Sequence, residues 1–445
     1  MGTGTVKTLP GDLAGSGWYE LLPPPGQVQQ LSGRVEADWL IIGAGFTGLS
    51  AAKRLDEILE NQTIVLVDAQ RVGWGASGRN SGFMIDLPHD LQTEDYATAI
   101  EEDKKQIKMN RAAIDFARSI VEEFDLKPHW DPVGKINAAT DGTGMSSLSS
   151  YSKHLDLLGE ENAFVSEQEM KEMTGTDYYA GGLFTPGCVQ IQPAGYVRGL
   201  AEGLKRSQRN QIRIFEDSAV IGFDWGKNKT AKFHSGEIRA DKTILTVNGH
   251  LASFGYYQKQ LMQVYTYGSM TRQLTEKESE ALGGQASWGV TPAHPMGTTV
   301  RKLKENRIVI RNTFTYNADM KTSASQIENI GRDHDQSFRN RFPMLSDVDM
   351  EYRWGGHLCL SLNSVPVFGE LEQGVFAACC QNGLGAVKGT LSGMLIAELA
   401  SEQSSPLAKE MQSYEAPKKL PPEPFMSLGA KTKLWWSQLR AGKDF

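Results

Sequence analysis

The chain has 445 residues, a formal net charge of −7 and a sequence pI near 5.7. This length predicts at least two domains, and the acidic balance disfavours a nucleic-acid-binding protein, which normally carries a basic domain. Hydrophobic residues make up 40%, yet neither an apolar leader nor an apolar run of about 18 residues occurs, so we expect no secretion and no membrane span.

The first 33 residues are rich in glycine and proline and are predicted to form an extended N-terminal arm. Residues 23–25 are three prolines, which act as a stiff spacer. Trp18 and Tyr19 are the apolar residues that we expect to anchor this arm to the rest of the protein.

Residues 37–68 predict a strand, a glycine turn, a helix and a second strand that ends in an acid. Apolar runs at 39–42 and 63–67 are the strands, and helix formers occupy 49–55. The turn at 43–48 matches G-x-G-x-x-G, and Asp68 follows about 20 residues later, as in dinucleotide-binding domains. A tight turn in a cofactor-free α/β domain is the alternative.

Each glycine of this turn has a predicted task. Gly43 permits the turn, Gly45 lets a pyrophosphate approach the backbone, and Gly48 lets helix and strand pack closely. The N-terminus of the helix attracts phosphates, and Asp68 can accept hydrogen bonds from ribose hydroxyls. Phe46 and Thr47, within the turn, complete this group of predicted cofactor-binding residues.

A loop of small residues directly after Asp68 favours FAD over NAD. A bulky isoalloxazine ring needs close backbone approach and N–H donors, which glycine and small hydroxyl residues allow. An ordinary surface loop is the alternative. The predicted cofactor-binding residues in this loop are Ala69, Gln70, Gly75, Ala76, Ser77, Arg79, Asn80, Ser81 and Gly82.

The middle of the chain predicts a second sheet. Helical periodicity covers 100–126 and a further helix covers 192–205, while strands are predicted at 134–139, 181–184, 213–223, 261–267 and 307–315. We therefore divide the chain into an arm (1–33), a nucleotide-binding domain (34–100, 193–250 and 350–400), a substrate domain (101–192 and 251–349) and a surface-packed tail (401–445). A cofactor is expected at the interface of these discontinuous domains.

A third glycine cluster follows a predicted strand at 374–378 and opens a helix at 391–400. Its helix N-terminus is predicted to face the flavin pyrimidine edge, where negative charge builds on reduction. Lys388 either adds positive charge there or is solvated. The predicted contacts are Gly383, Leu384, Gly385, Val387 and Lys388, joined by Asn248 and Gly249 from a strand that ends at the same edge.

These motifs resemble the D-amino-acid-oxidase-type superfamily of FAD-dependent oxidoreductases, and within it the γ-glutamylputrescine oxidase branch. The resemblance covers nearly the whole chain. It rests on residues 73–80, 192–200, 243–249, 352–356, 363–369, 382–385 and the tail 420–424.

The resemblance implies an α/β fold in which a Rossmann-like FAD-binding domain of the D-amino-acid-oxidase (GR2) type is joined to a discontinuous α+β substrate domain on an antiparallel sheet. It also implies oxidation of the C–N bond of a small amine or amino acid, with molecular oxygen reduced to hydrogen peroxide. Val220 is implied to contact the adenine through its backbone. A dehydrogenase that passes electrons to a quinone or carrier protein, and an FAD-containing RNA-modifying domain or scaffold, are the alternatives.

The candidates on the substrate side are Tyr265, Tyr267, Arg311, Trp354 and His357. The two tyrosines share one strand face and could stack around an amine, or pack in the core. Arg311 could clamp a carboxylate or form a structural salt bridge, and His357 could equally be a packed histidine. Trp354 matches the branch motif beside the flavin. Met84, Asp86 and His89 are candidates for the mouth of the site.

Two departures from relatives limit the substrate and the cofactor linkage. Ile85 and Val387 stand where sarcosine-oxidase-like relatives hold a carboxylate with Arg and Lys, so a small amino acid held in that way is disfavoured. Cys359 and His357 do not match the attachment spacing of covalent relatives, so we expect non-covalent FAD.

The cysteines bear on the cellular setting. Cys188, Cys359, Cys379 and Cys380 show no C-x-x-C metal or redox spacing, so we expect reduced thiols, no metal site and a cytoplasmic protein. A monomer or homodimer without nucleic-acid partners is expected.

Overall fold

A computed structural model describes residues 2–11, 14–88, 100–403 and 405–445, and the structural statements below refer to these residues. The strands are β1 (Thr3–Thr5), β2 (Gly33–Ile42), β3 (Thr63–Val67), β4 (Phe83–Met84), β5 (Trp130–Asp131), β6 (Lys135–Ala139), β7 (Ala163–Ser166), β8 (Gly181–Thr185), β9 (Val189–Ile191), β10 (Gln211–Phe215), β11 (Gly222–Asp224), β12 (Lys229–Phe233), β13 (Gly236–Leu245), β14 (Met262–Thr271), β15 (Trp288–Pro292), β16 (Thr299–Leu303), β17 (Arg307–Tyr316), β18 (Met350–Leu360), β19 (Val367–Glu372) and β20 (Val375–Cys379). The α-helices are α1 (Gly17–Glu20), α2 (Phe46–Ile58), α3 (Ile100–Glu123), α4 (Gly142–Leu158), α5 (Glu167–Thr174), α6 (Pro193–Leu204), α7 (Glu276–Glu280), α8 (Ala324–Arg341), α9 (Gly385–Ala400), α10 (Pro406–Gln412) and α11 (Phe425–Ala441).

The first sheet has nine strands and a parallel centre. Its order is β1-β11-β12-β13-β2-β3-β10, with β20 parallel to β13 and β19 antiparallel to β20. Helices α2, α3, α6 and α9 contribute to the apolar core on one face. Parallel strands covered on both faces are continuous apolar runs, which is why the sequence predicted them well.

The predicted glycine turn connects β2 to α2 at the carboxyl edge of this sheet. Gly43 has φ +105°, a backbone conformation that favours glycine, and its N–H donates to Val67 O at 2.8 Å. A Cβ on Gly48 would overlap Gly43 O, so helix and strand approach as the sequence predicted. Thr246, just after β13, donates from Oγ1 to Gly43 O at 2.8 Å.

The second sheet has eight strands in the order β18-β14-β17-β16-β15-β6-β8-β7, and only β6 and β15 are parallel. Helix α8 contributes to its apolar core. In this sheet β14 lies between β17 and β18, so Tyr265 is paired with His357, and Gly268 with both Arg311 and Trp354. Three distant chain segments thereby bring candidate residues together.

Two predicted domain boundaries differ from this packing. The return to the nucleotide-binding domain at residue 350 is too early, because β18 pairs with β14 throughout and belongs to the second sheet. Helix α3 was assigned to the substrate domain, but Ala113, Ile114 and Ala117 pack in the same core as α2 and α9. With β18 assigned to the substrate domain and α3 to the nucleotide-binding domain, the division into two discontinuous domains stays a prediction.

Both ends of the described chain are tied to the body. Strand β1 pairs with β11 of the first sheet, and the predicted anchors Trp18 and Tyr19 are both buried. At the other end, Asp444 is buried and accepts a hydrogen bond from Thr140 Oγ1 at 2.5 Å. Among the described residues, no helix is long and apolar enough to cross a membrane.

Candidate active site

A crevice opens at the carboxyl edge of the parallel strands; we call it the nucleotide crevice. Gly43, Gly45 and Asp68 line it, together with Val220 and Asn248 from later segments. Part of the predicted flavin loop also lines it, namely Ala69, Gln70, Gly75, Ala76 and Ser77. The N-terminal arm forms another part of the wall through Val6, Thr8, Leu9, Pro10 and Gly11, a contribution that the sequence did not predict.

Helix α2 points an uncapped N-terminus at this crevice. Gly45 is the N-cap and no side chain caps the helix; Phe46 N–H donates to Ser77 Oγ at 3.1 Å. The other first-turn N–H groups have no intrahelical partner, so the helix end offers donors and partial positive charge to a phosphate. A Cβ on Gly45 would lie 2.5 Å from Ser77 Oγ, so the turn has no room for a side chain there.

Asp68 organises the turn as well as facing the crevice. Its Oδ2 accepts from Ala44 N–H at 2.8 Å and its Oδ1 from Gln70 N–H at 2.9 Å. A carboxylate oxygen can accept more than one hydrogen bond, so this group can both hold the turn and accept from a ribose hydroxyl. The uncapped helix, the small-residue loop and this carboxylate together fit a dinucleotide.

A second cavity, which we call the substrate cavity, adjoins the nucleotide crevice and has a volume of about 580 Å³. Ala76 and His357 line both cavities and therefore lie between them. The other predicted residues that line the substrate cavity are Arg79, Asn80, Ser81, Arg311, Gly383, Leu384 and Lys388. The loop after β3 and the loop before α9 therefore meet here, as the sequence predicted.

Helix α9 brings a second uncapped N-terminus to the site. Its N-cap, Leu384, makes no side-chain capping bond, and Gly383 has φ +85° with open space where a Cβ would be. This helix end presents N–H donors beside the substrate cavity, where they would favour negative charge. The glycine cluster is thus built to approach a ligand closely.

Two cations line the substrate cavity without a carboxylate partner. The guanidinium of Arg311, on β17, stacks over the Phe314 ring at 5.2 Å and makes no hydrogen bond or ion pair with any described residue. Burial lowers the pKa of its guanidinium to about 10. Lys388, on the first turn of α9, is also free of ion pairs within the described chain, and burial lowers the pKa of its ammonium. Such unpaired charge in a cavity attracts an anionic group.

His357 is a buried, neutral side chain at the junction of the two cavities. Burial, with a smaller effect from the neighbouring His250, lowers its pKa to about 3. The Gln263 amide donates to Gly249 O at 3.4 Å, so its oxygen faces His357 Nε2 at 2.8 Å and Nε2 carries the proton. Nδ1 is left as an acceptor.

Of the predicted tyrosine pair, Tyr265 lines the nucleotide crevice and Tyr267 lines neither of these two cavities. Its hydroxyl donates to Met320 O at 2.8 Å, and its ring lies 5.4 Å from that of His357. Tyr267 packs against Ile330, and its hydroxyl is bonded to Thr315 at 2.8 Å. The two rings are neighbours, with centroids 6.5 Å apart, but the Tyr267 ring packs in the interior and lines neither cavity.

Trp354 supports the site from behind. It is buried with Trp18 and Met270, and its Nε1 donates to Arg79 O at 2.9 Å. Arg79 in turn donates from Nε to Trp74 O at 2.7 Å and from Nη1 to Gly355 O at 3.1 Å. Trp354 therefore positions the flavin loop; it does not line either cavity.

Several predicted contacts are placed elsewhere. Met84 lies in the core, and Asp86 pairs with Arg111 at 3.1 Å, so neither forms the mouth of the site. Ile85 packs against Phe83 and Cys188, and His89 lies outside the described residues. Some predicted cofactor residues support the loops but line neither cavity: Phe46, Thr47, Gly48, Gly82, Gly249, Gly385 and Val387. The Cys359 thiol is also buried away from both cavities.

Two functional candidates were missed by the sequence. Arg301 is buried under the flavin loop and donates from Nη1 to Ser81 O at 3.0 Å and to Gly82 O at 3.1 Å. Asp103 lines the substrate cavity and its Oδ2 is 2.7 Å from His154 Nε2. Asp103 follows two glutamates and was indistinguishable from an ordinary solvated helix face, and Arg301 stands in a strand with no motif.

The comparisons with known proteins agree with this geometry. The sequence profile of the family described as FAD dependent oxidoreductase matches residues 38–399. The chain is 26% identical over 390 residues to the probable oxidoreductase OrdL of Haemophilus influenzae, with 84% of each chain covered. It is 23% identical over 399 residues to the gamma-glutamylputrescine oxidoreductase of Escherichia coli, with 89% of each covered. The structure of glycine oxidase from Geobacillus kaustophilus aligns with a TM-score of 0.67 at 17% identity, covering 84% of this chain and 96% of that one, which shows a shared fold.

Proposed function

This chain belongs to the FAD dependent oxidoreductase family, and we propose that it oxidises the C–N bond of an amine that also carries an anionic group. FAD is its cofactor. The amine loses two electrons and two protons to give an imine, and water converts the imine to a carbonyl compound and a free amine or ammonia. Molecular oxygen takes up the two electrons and two protons as hydrogen peroxide.

The observation that carries this proposal is Arg311 in the substrate cavity. A cation that is free of carboxylate partners costs free energy unless a ligand supplies the anion. A guanidinium binds a carboxylate or phosphonate through two parallel hydrogen bonds. Arg311 would therefore hold the anionic end of the substrate and fix the direction in which the amine points.

The bound flavin supplies a two-electron acceptor; the protein has to position and desolvate the amine. Desolvation in the substrate cavity, which Phe314 lines, favours the neutral amine, whose lone pair the reaction needs. His357 Nδ1 could accept a hydrogen bond from the amine but, with a pKa of about 3, the imidazole would not retain the proton. The proton therefore leaves to solvent before the C–H bond breaks.

The residues of the first sheet would hold the cofactor. The amides at the start of α2 would bind the diphosphate, Asp68 the ribose, and the backbone near Val220 the adenine. The second uncapped helix, α9, together with Lys388, would place positive potential where negative charge builds on reduction. Relatives named for amines support the reaction class: gamma-glutamylputrescine oxidoreductase and, by fold, glycine oxidase.

An anaerobic reduction screen tests this proposal. The purified flavoprotein is mixed with polyamines, γ-glutamyl amines, N-methyl amino acids and aminophosphonates, and loss of oxidised flavin absorbance is followed. We expect bleaching by a compound with both an amine and an anionic group, and hydrogen peroxide on readmission of air. If no amine bleaches the flavin, the proposal is wrong; turnover with an artificial acceptor but without peroxide would instead indicate a dehydrogenase.

A further inference from the structure

The C-terminal helix α11 carries an apolar face that is exposed to solvent. Phe425, Leu428, Trp435, Trp436 and Leu439 are 70%, 69%, 60%, 56% and 58% exposed. At 3.6 residues per turn these five side chains fall within an arc of about 100°. We call this surface the exposed helix face; contiguous apolar surface of this kind marks an interaction site.

The helix is attached to the body through its opposite side. Met426 and Ala441 are buried, and Gln438 Nε2 donates to Phe314 O at 2.9 Å on β17. Because these contacts hold the inner side against the second sheet, the outer apolar side is presented outward as a fixed feature. Phe314 also lines the substrate cavity, so only strand β17 lies between the helix and that cavity.

The charge on the helix is positive only. Lys431, Lys433 and Arg440 are exposed, and the helix contains neither Asp nor Glu. A short helix with Trp, Phe and Leu on one face and basic residues beside them is the pattern of a helix that lies in a membrane interface. Its 17 residues fall short of the roughly 20 that a span requires.

We infer that the exposed helix face binds the surface of an anionic lipid bilayer. The adjacent Trp435 and Trp436, whose ring centroids are 6.5 Å apart, would lie at the headgroup level, where indole rings are favoured. The basic side chains would meet the anionic headgroups. A second copy of the chain is a less favourable partner, because pairing two such helices would bring the three cations of one helix against the three cations of the other.

Vesicle flotation of the FAD-loaded protein tests this inference. We expect the protein to float with phosphatidylcholine vesicles that contain phosphatidylglycerol, to float poorly with pure phosphatidylcholine, and to be released by salt. The double variant Trp435→Ser, Trp436→Ser should bind at least about tenfold more weakly. The double variant Lys431→Gln, Lys433→Gln should bind about 25-fold more weakly, from about fivefold per basic residue.

Matched controls separate this surface from general stickiness. Leu157→Ser with Phe164→Ser removes apolar side chains that are 65% and 50% exposed elsewhere, and Lys153→Gln with Lys227→Gln removes two exposed lysines elsewhere. Both control pairs should float like the parent protein. Retained flavin absorbance shows that each variant is folded.

Failure of the parent protein to float with anionic vesicles overturns the inference, as does flotation that the tryptophan variant leaves unchanged. Self-association of the parent protein that this variant abolishes, without vesicle binding, would assign the face to a second copy instead. Amine-dependent bleaching is measured without vesicles, so its outcome is separate from this one.

Discussion

Replacing Arg311 with methionine tests the substrate site most directly. Methionine keeps an unbranched side chain over Phe314 but removes the five N–H donors and the charge. A hydrogen bond to a charged group contributes about 1.5–3 kcal/mol, so binding of an anionic amine should weaken by about 10- to 150-fold. Amines without an anionic group should be affected little.

The same substitution should not reduce the stability of the protein. Burial lowers the pKa of Arg311 to about 10, which remains above neutral pH, so the guanidinium is charged in both folded and unfolded chains and its desolvation opposes folding. Methionine removes that cost. We therefore expect the urea midpoint of Arg311→Met to equal or exceed that of the parent protein.

The assay is the substrate concentration that half-bleaches the flavin under anaerobic conditions, measured for paired amines with and without a carboxylate. Arg213→Met is the matched control, because Arg213 also stacks on an aromatic ring, that of Phe215 at 4.9 Å, away from the cavity. Equal weakening of both amine classes, or no weakening of the carboxylate-bearing one, would refute the role of Arg311.

Two further predictions concern the cofactor turn and acid stability. Gly45→Val places a branched side chain where a Cβ would already lie 2.5 Å from Ser77 Oγ, so it should give folded protein without flavin, measured by circular dichroism and the flavin-to-protein absorbance ratio. Gly284→Val, where nothing lies within 4 Å of a Cβ, is its control, and full flavin content in Gly45→Val would contradict the assignment. Burial lowers the pKa of His334 and of His357 to about 3, so below the unfolded value of about 6.5 the unfolded chain binds more protons and stability falls. The free energy of unfolding should drop by about 2 kcal/mol per histidine between pH 7 and pH 5, and an unchanged drop in a variant with both replaced by leucine would exclude them as its source.

The nucleotide turn could be predicted because its determinants are contiguous. Between Gly43 and Asp68, strand, turn, helix and second strand follow within one βαβ unit, and each residue acts on neighbours that are close in sequence. The requirement for φ +105° at Gly43 and the close contact at Gly48 are local backbone properties. The parallel pairing of the two strands is then enough to place the helix N-terminus and Asp68 at the crevice.

The substrate side could be predicted only as a set of residue types. Trp354 and His357 lie three residues apart on one strand, so alternation places them on opposite faces; the packing adds that His357 lines both cavities while Trp354 is buried behind the flavin loop. Tyr265 and Tyr267 are neighbours, with ring centroids 6.5 Å apart, yet Tyr265 lines the nucleotide crevice and Tyr267 lines neither cavity. Alternation gives the face of each side chain but not which face, or which of two neighbours, reaches a cavity, because that depends on what the neighbouring strands and loops place against the strand.

By itself, the sequence determined the strand–turn–helix unit that we propose binds the cofactor, since local geometry and hydrogen bonding within a short segment are enough to build it. Only the tertiary structure decided the chemistry of the substrate cavity, which is lined by Arg311 from β17, Asp103 from α3 and Lys388 from α9. Whether Arg311 is a paired structural charge or a free ligand group depends on which distant carboxylates pack beside it. In the described chain none does, and that property arises from packing between distant segments.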